Sequence, residues 1–240
     1  MDIIFEELDC RDTHLGQISL RKRTELQLGG VLVYEVKLGD EFLMSSLFHA
    51  GEDALAEIGL ANIDAPELDL VVGGLGLGYT AATALRQPGV RSLLVVDTLA
   101  EVIGWHEAGL VPLGEELTQD PRCRFIHGDF FQLATNDNGF DPDQPGRKFH
   151  AILLDIDHSP SHLLASAHGG FYSQQGLERL VNKLYPGGVF ALWSNDPPEP
   201  EFMQRLQQVF VDVESHIVKF PNPFQNCEAA QTVYLAKTRS

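Results

Sequence analysis

"LDLVVGGLGLGYTAATAL", Leu68 to Leu85, is the stretch that decides the fold. Leu68–Val72 is apolar apart from Asp69, as a strand covered on both faces must be. Four glycines follow within six residues, at Gly73, Gly74, Gly76 and Gly78. Glycine lets a backbone turn tightly and approach a ligand with no Cβ in the way. "YTAATAL" then reads as the start of a helix, whose first N–H groups lack partners of their own. Strand, glycine turn and helix together are how α/β folds hold a nucleotide. "GLGYTA" also fits the G-x-G-x-x-G/A pattern of dinucleotide sites, so this stretch alone leaves the nucleotide open.

Working outward, the same alternation continues toward the C-terminus. "RSLLVVD", "RCRFIHGD", "FHAILLDID" and "PGGVFALWS" read as further strands, the last entered through a Pro-Gly-Gly turn. "LAEVIGWHEAG", "SQQGLERLVNKLY" and "PEFMQRLQQVF" read as helices between or after them. Apolar strands spaced by helices predict a mostly parallel sheet covered on both faces. "DVESHIVKFPNPF" and "AAQTVYLAKT" have no helix between them and predict a closing antiparallel hairpin. Toward the N-terminus, residues 1–50 alternate apolar and polar in "GQISLRKRTELQL" and "GGVLVYEVKLGDEFLM", a pattern of β-hairpins. The expected organisation is α/β, with an N-terminal β-hairpin region over 1–50 and a Rossmann-like domain over 51–240.

Composition narrows the function. The 240 residues carry a formal net charge of −17, and the fullest basic run is "RKR" at Arg21–Arg23. Nucleic acid, a polyanion, is a poor partner for such a chain. An acidic field suits a cationic substrate, and equally suits plain solubility. No apolar run is long enough for a membrane span, and "MDIIFEELDC" lacks the basic start of a secretory signal. Cys10, Cys123 and Cys227 are odd in number and scattered, as free thiols in a reducing cytoplasm are.

Ligands of open α/β sheets bind at the carboxyl ends of the strands. Asp97 ends the second strand, 23 residues after Gly74, where a carboxylate accepts ribose hydroxyls, with Thr98 beside it. Asp129 follows the third strand in "HGDFF". A carboxylate there can accept an adenine amino proton, and Phe130 can offer its backbone N–H to a ring nitrogen; capping a loop is the alternative. "LLDIDHSP" places Asp155, Asp157 and His158 after the fourth strand, facing the reacting end of a ligand, where a carboxylate can bind a cationic amine or take its proton. His158 titrates near neutral pH and is a second candidate base. His158, His162 and His168 also have a metal-like spacing; no metal is expected, and "SPSHLLASAHGG" is better taken as a lid over the site.

With these pieces in order, the chain resembles the class I S-adenosylmethionine-dependent transferases, and within them the spermidine synthase (polyamine aminopropyltransferase) group. The resemblance rests on "LVVGGLGLG", "LLVVDTLAEVI", "DPRCRFIHGDFFQL", "FHAILLDIDHSP" and "FYSQQGLERLVNKLYPGGVFAL". It implies a Rossmann-like domain behind a small N-terminal β domain used for dimerisation. It implies S-adenosylmethionine or its decarboxylated form as co-substrate, held by Gly73, Gly74, Leu75, Gly76, Gly78, Asp97, Thr98, Asp129, Phe130 and Asp155. It implies transfer of a methyl or aminopropyl group to a small, amine-like acceptor, with Asp155, Asp157 and His158 as catalytic candidates.

The chain departs from the group's motifs at three places. Gly76 stands where G-G-G-D-G-G has its Asp. Gly51, Glu52 and Asp53 fall, counting back without gaps, on the Tyr-His-Glu of D-E-x-x-Y-H-E. His158 takes the place of the second Asp of D-S-S/T-D-P, while Asp155 matches the first. The adenosyl half is kept and the amine half rewritten, which leaves a catalytically degenerate nucleoside-binding protein as the alternative.

Overall fold

The computed structural model describes residues 3–61 and 63–240. Its first four strands, β1 (Phe5–Thr13), β2 (Gly16–Glu25), β3 (Val31–Leu38) and β4 (Glu41–Ser45), form an antiparallel meander in that order. Ile18 and Leu20 of β2 alternate inward and are fully buried, as the period of two requires. Arg21 and Arg23 turn to the other face, where their Nε atoms reach the Glu35 carboxylate of β3 at 2.6 and 2.8 Å. Lys22 pairs with Glu6 at 2.9 Å. The one basic run is therefore neutralised by carboxylates on its own sheet.

Between β3 and β4 the register jumps. Val36 faces Met44 and Lys37 faces Phe42, so Leu43 is an extra residue in a bulge. A bulge breaks strict alternation and re-aims neighbouring side chains, which matters below.

The second body opens with α1 (Ala50–Leu60). It then runs β5 (Leu68–Gly73), α2 (Tyr79–Arg86), β6 (Val90–Asp97), α3 (Ala100–Glu107), α4 (Gly114–Gln119), β7 (Cys123–His127), α5 (Phe130–Thr135) and β8 (Phe149–Leu154). It closes with α6 (Gln174–Val181), β9 (Leu184–Ser194), α7 (Pro200–Val209), β10 (Val211–Asn222) and β11 (Cys227–Lys237). The seven strands are ordered β10-β11-β9-β8-β5-β6-β7, with β5 to β9 parallel and the last pair antiparallel. Every residue of β5 is buried. Its Leu70 and Val72 join the core beneath α1 and α2, and its Val71 joins the core of Phe130, Phe149, Phe190 and Phe202 on the other face.

The expected alternation and the terminal hairpin are thus the observed ones. Two details differ. The short helices α4 and α5 are not legible in the pattern, because a six-residue segment spans fewer than two turns and its apolar spacing does not repeat. Pro186-Gly187-Gly188, expected as a turn, lies inside β9, where the register against β8 jumps between Leu184 and Val189 and absorbs the extra residues. No helix among the described residues is long and apolar enough to cross a membrane.

Candidate active site

Strand β5 sits between β6 and β8, so the chain leaves it to one side and later returns on the other. The crevice at such a switch point is where open α/β sheets take ligands. Here it opens into a cavity of about 540 Å³, roofed by the N-terminal sheet, well within the size range of ligand pockets.

The floor is built by the glycine turn. Gly74 has φ +94°, and a Cβ on it would run into the carbonyl oxygen of Asp155. Only glycine lets β5 and β8 end so close together. Gly76 has φ +48°, and the Met44 sulfur lies 2.6 Å from where its Cβ would stand. The missing side chain is filled from the opposite sheet. Asp97 ties the turn down: its carboxylate accepts the Leu75 N–H at 2.9 Å and the Leu99 N–H at 2.8 Å. Burial raises the Asp97 pKa, against the pull of the N–H groups of Leu99, Leu75 and Gly76.

Of the residues expected to hold a nucleoside, Gly74, Gly76, Asp97, Thr98, Asp129, Phe130 and Asp155 line this cavity together. The other three support it from behind. Gly73 packs on the Phe130 ring, Gly78 packs against Leu117 and His106 at the start of α2, and Leu75 is buried with its N–H on Asp97. Asp129 caps α5, its Oδ1 accepting from Phe131 N at 2.8 Å and Gln132 N at 3.2 Å. The loop-cap alternative describes that oxygen correctly, and the residue still borders the cavity.

The catalytic candidates separate. Asp155 reaches the cavity, with Oδ2 accepting from the Thr80 hydroxyl at 3.1 Å. Asp157 does not line it. It is fully buried one turn away, accepting from Leu164 N at 2.8 Å, His168 Nδ1 at 2.8 Å and the Tyr172 hydroxyl at 2.9 Å. A carboxylate with three donors holds a loop in shape and has little capacity left for a substrate amine, so the geometry gives it an anchoring part, and the expectation that it faces the reacting end is corrected. His158 lines the mouth, but its Nε2 lies 2.8 Å from Glu41 Oε1 on β4, which joins the lid to the roof. His162 stands 5.0 Å from it, ring to ring, while His168 stacks on Phe131 at 3.9 Å. The three histidines do not converge on a common point. The segment after Asp157 does cover the cavity, through Leu164, Ala165, Ala167 and His168.

Glu52, on the first turn of α1, is the residue that sequence reasoning missed. It lines the cavity beside Asp155, and its Oε2 is buried with no hydrogen-bond partner among the described residues. Burial, and then the Asp155 charge, push its pKa up to about 8. Burial likewise raises Asp155 to about 6, less the help of the Thr80 hydroxyl. Two carboxyls so placed titrate as a unit and hold one proton between them near neutral pH. Trp193 Nε1 and Gln231 Oε1 are also buried without hydrogen-bond partners among the described residues, packed over Gly51 at the same wall. The signal available in the sequence was an acid at Glu52, inside the segment where the resemblance fails. Among the described residues of the lining there are four carboxylates, Glu52, Asp97, Asp129 and Asp155, and no Lys or Arg.

No family model matches the chain, and no curated protein matches it in sequence. Solved structures do. A spermidine synthase from Thermotoga maritima superposes with TM-score 0.70 at 16% identity, covering 96% of this chain and 72% of that one. A spermidine synthase in complex with the transition state analogue AdoDATO gives TM-score 0.71 at 14% identity, over 96% and 73%. The fold is that of the spermidine synthases. At such identities the likeness concerns the backbone, and the side chains must speak for the chemistry.

Proposed function

We propose that this chain is an aminopropyltransferase-like enzyme, which takes the three-carbon arm of decarboxylated S-adenosylmethionine and joins it to a small amine. The Glu52–Asp155 pair beside the nucleoside cradle carries this reading. An S-adenosylmethionine molecule would bring its own carboxylate against Glu52 and Asp155, with no Lys or Arg in the described lining to meet it. The decarboxylated donor ends in an ammonium, which such a pair favours. A structural neighbour that binds a transition state analogue supports the same class of chemistry.

The adenosine would lie over Gly74 and Gly76, with its ribose at Asp97 and its base at Asp129. The acceptor nitrogen must be neutral when it attacks. Asp155, the more acidic of the pair, is ionised near pH 7 and takes the proton. The amine lone pair then attacks the carbon next to sulfur as the C–S bond breaks, and the sulfonium becomes a neutral thioether. The protein's contribution is mainly to align and desolvate, which can supply roughly 7–11 kcal/mol at best. Pairing of two chains through the N-terminal sheet, whose Phe5, Val31 and Leu32 are exposed, belongs to the same proposal and is tested by sedimentation.

Incubation with each donor and an amine panel tests the reaction. Methylthioadenosine released from the decarboxylated donor supports it. S-adenosylhomocysteine formed from S-adenosylmethionine refutes it in favour of methyl transfer. Tight nucleoside binding with no turnover of either donor leaves the degenerate binder.

A further inference from the structure

The cavity has two unlike walls. Asp97, Asp129 and Asp155 stand at the strand ends, and Glu52 stands beside Asp155 on the first turn of α1. The wall opposite comes from the N-terminal sheet, and its polar members in the lining are His14 and Ser45. The rest of it is Leu15, Ile18, Val36, Leu38 and the run Phe42–Met44. Three consecutive residues of one strand reach the same space because the bulge at Leu43 breaks the alternation of β4. Phe48 extends the surface, and its ring meets Phe220 and Phe224 of the terminal hairpin at 6.1 Å each. At the rim, Leu15 and Phe42 remain 37% and 47% exposed, so the way in is apolar as well.

We infer that the acceptor is a monoamine with an apolar body, an alkylamine or arylalkylamine, and not a linear diamine or polyamine; this rests on the transferase reading above. Asp155 serves the one nitrogen of such an acceptor, and Glu52 beside it is left for the ammonium of the donor. A linear diamine would carry a second ammonium several carbons further on. Asp97 and Asp129 lie at the nucleoside end. Glu41, next to Phe42 on β4, has its carboxylate on His158 Nε2 at 2.8 Å and is not part of the lining. Along the N-terminal sheet the second charge would therefore meet no carboxylate, only His14 and Ser45 among aliphatic and aromatic side chains, where an ion without a counter-charge is strongly disfavoured. An apolar chain in the same place gains from leaving water. In the reaction, nitrogen forms a bond to the propyl carbon, the C–S electron pair goes to sulfur, and the amine proton passes to Asp155.

The test uses the full chain and decarboxylated S-adenosylmethionine, with hexylamine and phenethylamine set against putrescine and cadaverine. Methylthioadenosine and the aminopropylated product are quantified by mass spectrometry. The expected result is a kcat/KM at least tenfold higher for the monoamines. A preference for the diamines overturns the inference while leaving the transferase reading intact. Should no amine turn over, calorimetry on protein saturated with methylthioadenosine still decides. Hexylamine binding tenfold tighter than putrescine upholds the apolar wall, and equal or weaker binding overturns it. Protein that binds neither methylthioadenosine nor the donor ends both readings at once. A Phe42→Glu variant, at an exposed position that should not disturb folding, supplies the missing second carboxylate and is expected to shift the ratio at least fivefold toward putrescine.

Discussion

Replacing Glu52 by Gln tests the carboxylate pair without any ligand. An acid whose pKa is raised in the folded state destabilises that state once it must ionise. Below about pH 4.5, the ordinary value for Glu, both folded and unfolded chains hold the proton, and nothing changes. Between there and about pH 8 the unfolded chain has lost it and the folded chain has kept it. Stability then falls as pH rises, by up to about 1.4 kcal/mol per pH unit for one proton. Above pH 8 the loss levels off. Asp155 adds a similar slope at lower pH, up to about 6, so the window from pH 6.5 to 8 isolates Glu52. Over that window wild type should lose roughly 1.5–2 kcal/mol relative to Glu52→Gln, or about 3–8 °C in Tm for a chain of this size. Titrating groups other than Asp155, which is coupled to Glu52, are common to both proteins and cancel in the difference. Thermal unfolding followed by circular dichroism at four pH values measures it. Parallel Tm curves would refute the shared proton and, with it, the claim that this wall waits for a cation.

Three further predictions concern other parts of the site. Asp155→Asn should lower turnover at least about a hundredfold while changing methylthioadenosine affinity only a few-fold; equal loss of both in calorimetry and rate assays would make Asp155 a binding group alone. Gly74→Ala puts a Cβ into the Asp155 carbonyl at φ +94° and should cost at least about 2 kcal/mol in urea unfolding, an effect absent from a control substitution such as Gly104→Ala, which meets no neighbour and needs no positive φ. Asp157→Asn weakens the anchor of the lid and should speed proteolytic cleavage within 158–170 and raise KM more than it lowers kcat; an unchanged digestion pattern and KM would show that the three donors hold the loop without it.

The parts legible in the sequence were those fixed by local pattern. The apolar run from Leu68 and the glycines after it could only be a buried strand and a tight turn, and the spacing to Asp97 and Asp129 followed from strands that end at one edge. Asp155 was legible for the same reason. Asp157 was misplaced because adjacent acids after a strand look alike in a sequence. Whether a carboxylate faces the crevice or the Tyr172 hydroxyl depends on a segment that folds back from 11 to 15 residues away. Glu52 was missed because its position depends on α1 lying against the end of β8, a contact between segments about a hundred residues apart. The short helix α5 follows from its Asp129 cap and α4 from the packing of its buried Leu117, not from periodicity.

The glycine at position 76 shows how these failures connect. Read alone, it is a lost acid and argues for decay. In the fold, its bare backbone is covered by the thioether of Met44, carried there by the bulge of β4. That same bulge brings Phe42 and Leu43 to the cavity. Losing an acid from the turn and gaining an apolar wall on the roof are thus two sides of one contact. Meanwhile the acid count near the reacting end is restored by Glu52, from a different helix. A decaying site would be expected to fill in or to lose its buried charge, since an unpaired carboxylate in a cavity is costly to keep. This one keeps two carboxyls, Trp193 and Gln231 around a space of ligand size. Substituting Met44 by Ala should then widen the cavity over Gly76 and loosen acceptor selectivity, whereas in a mere remnant it would change stability and nothing else.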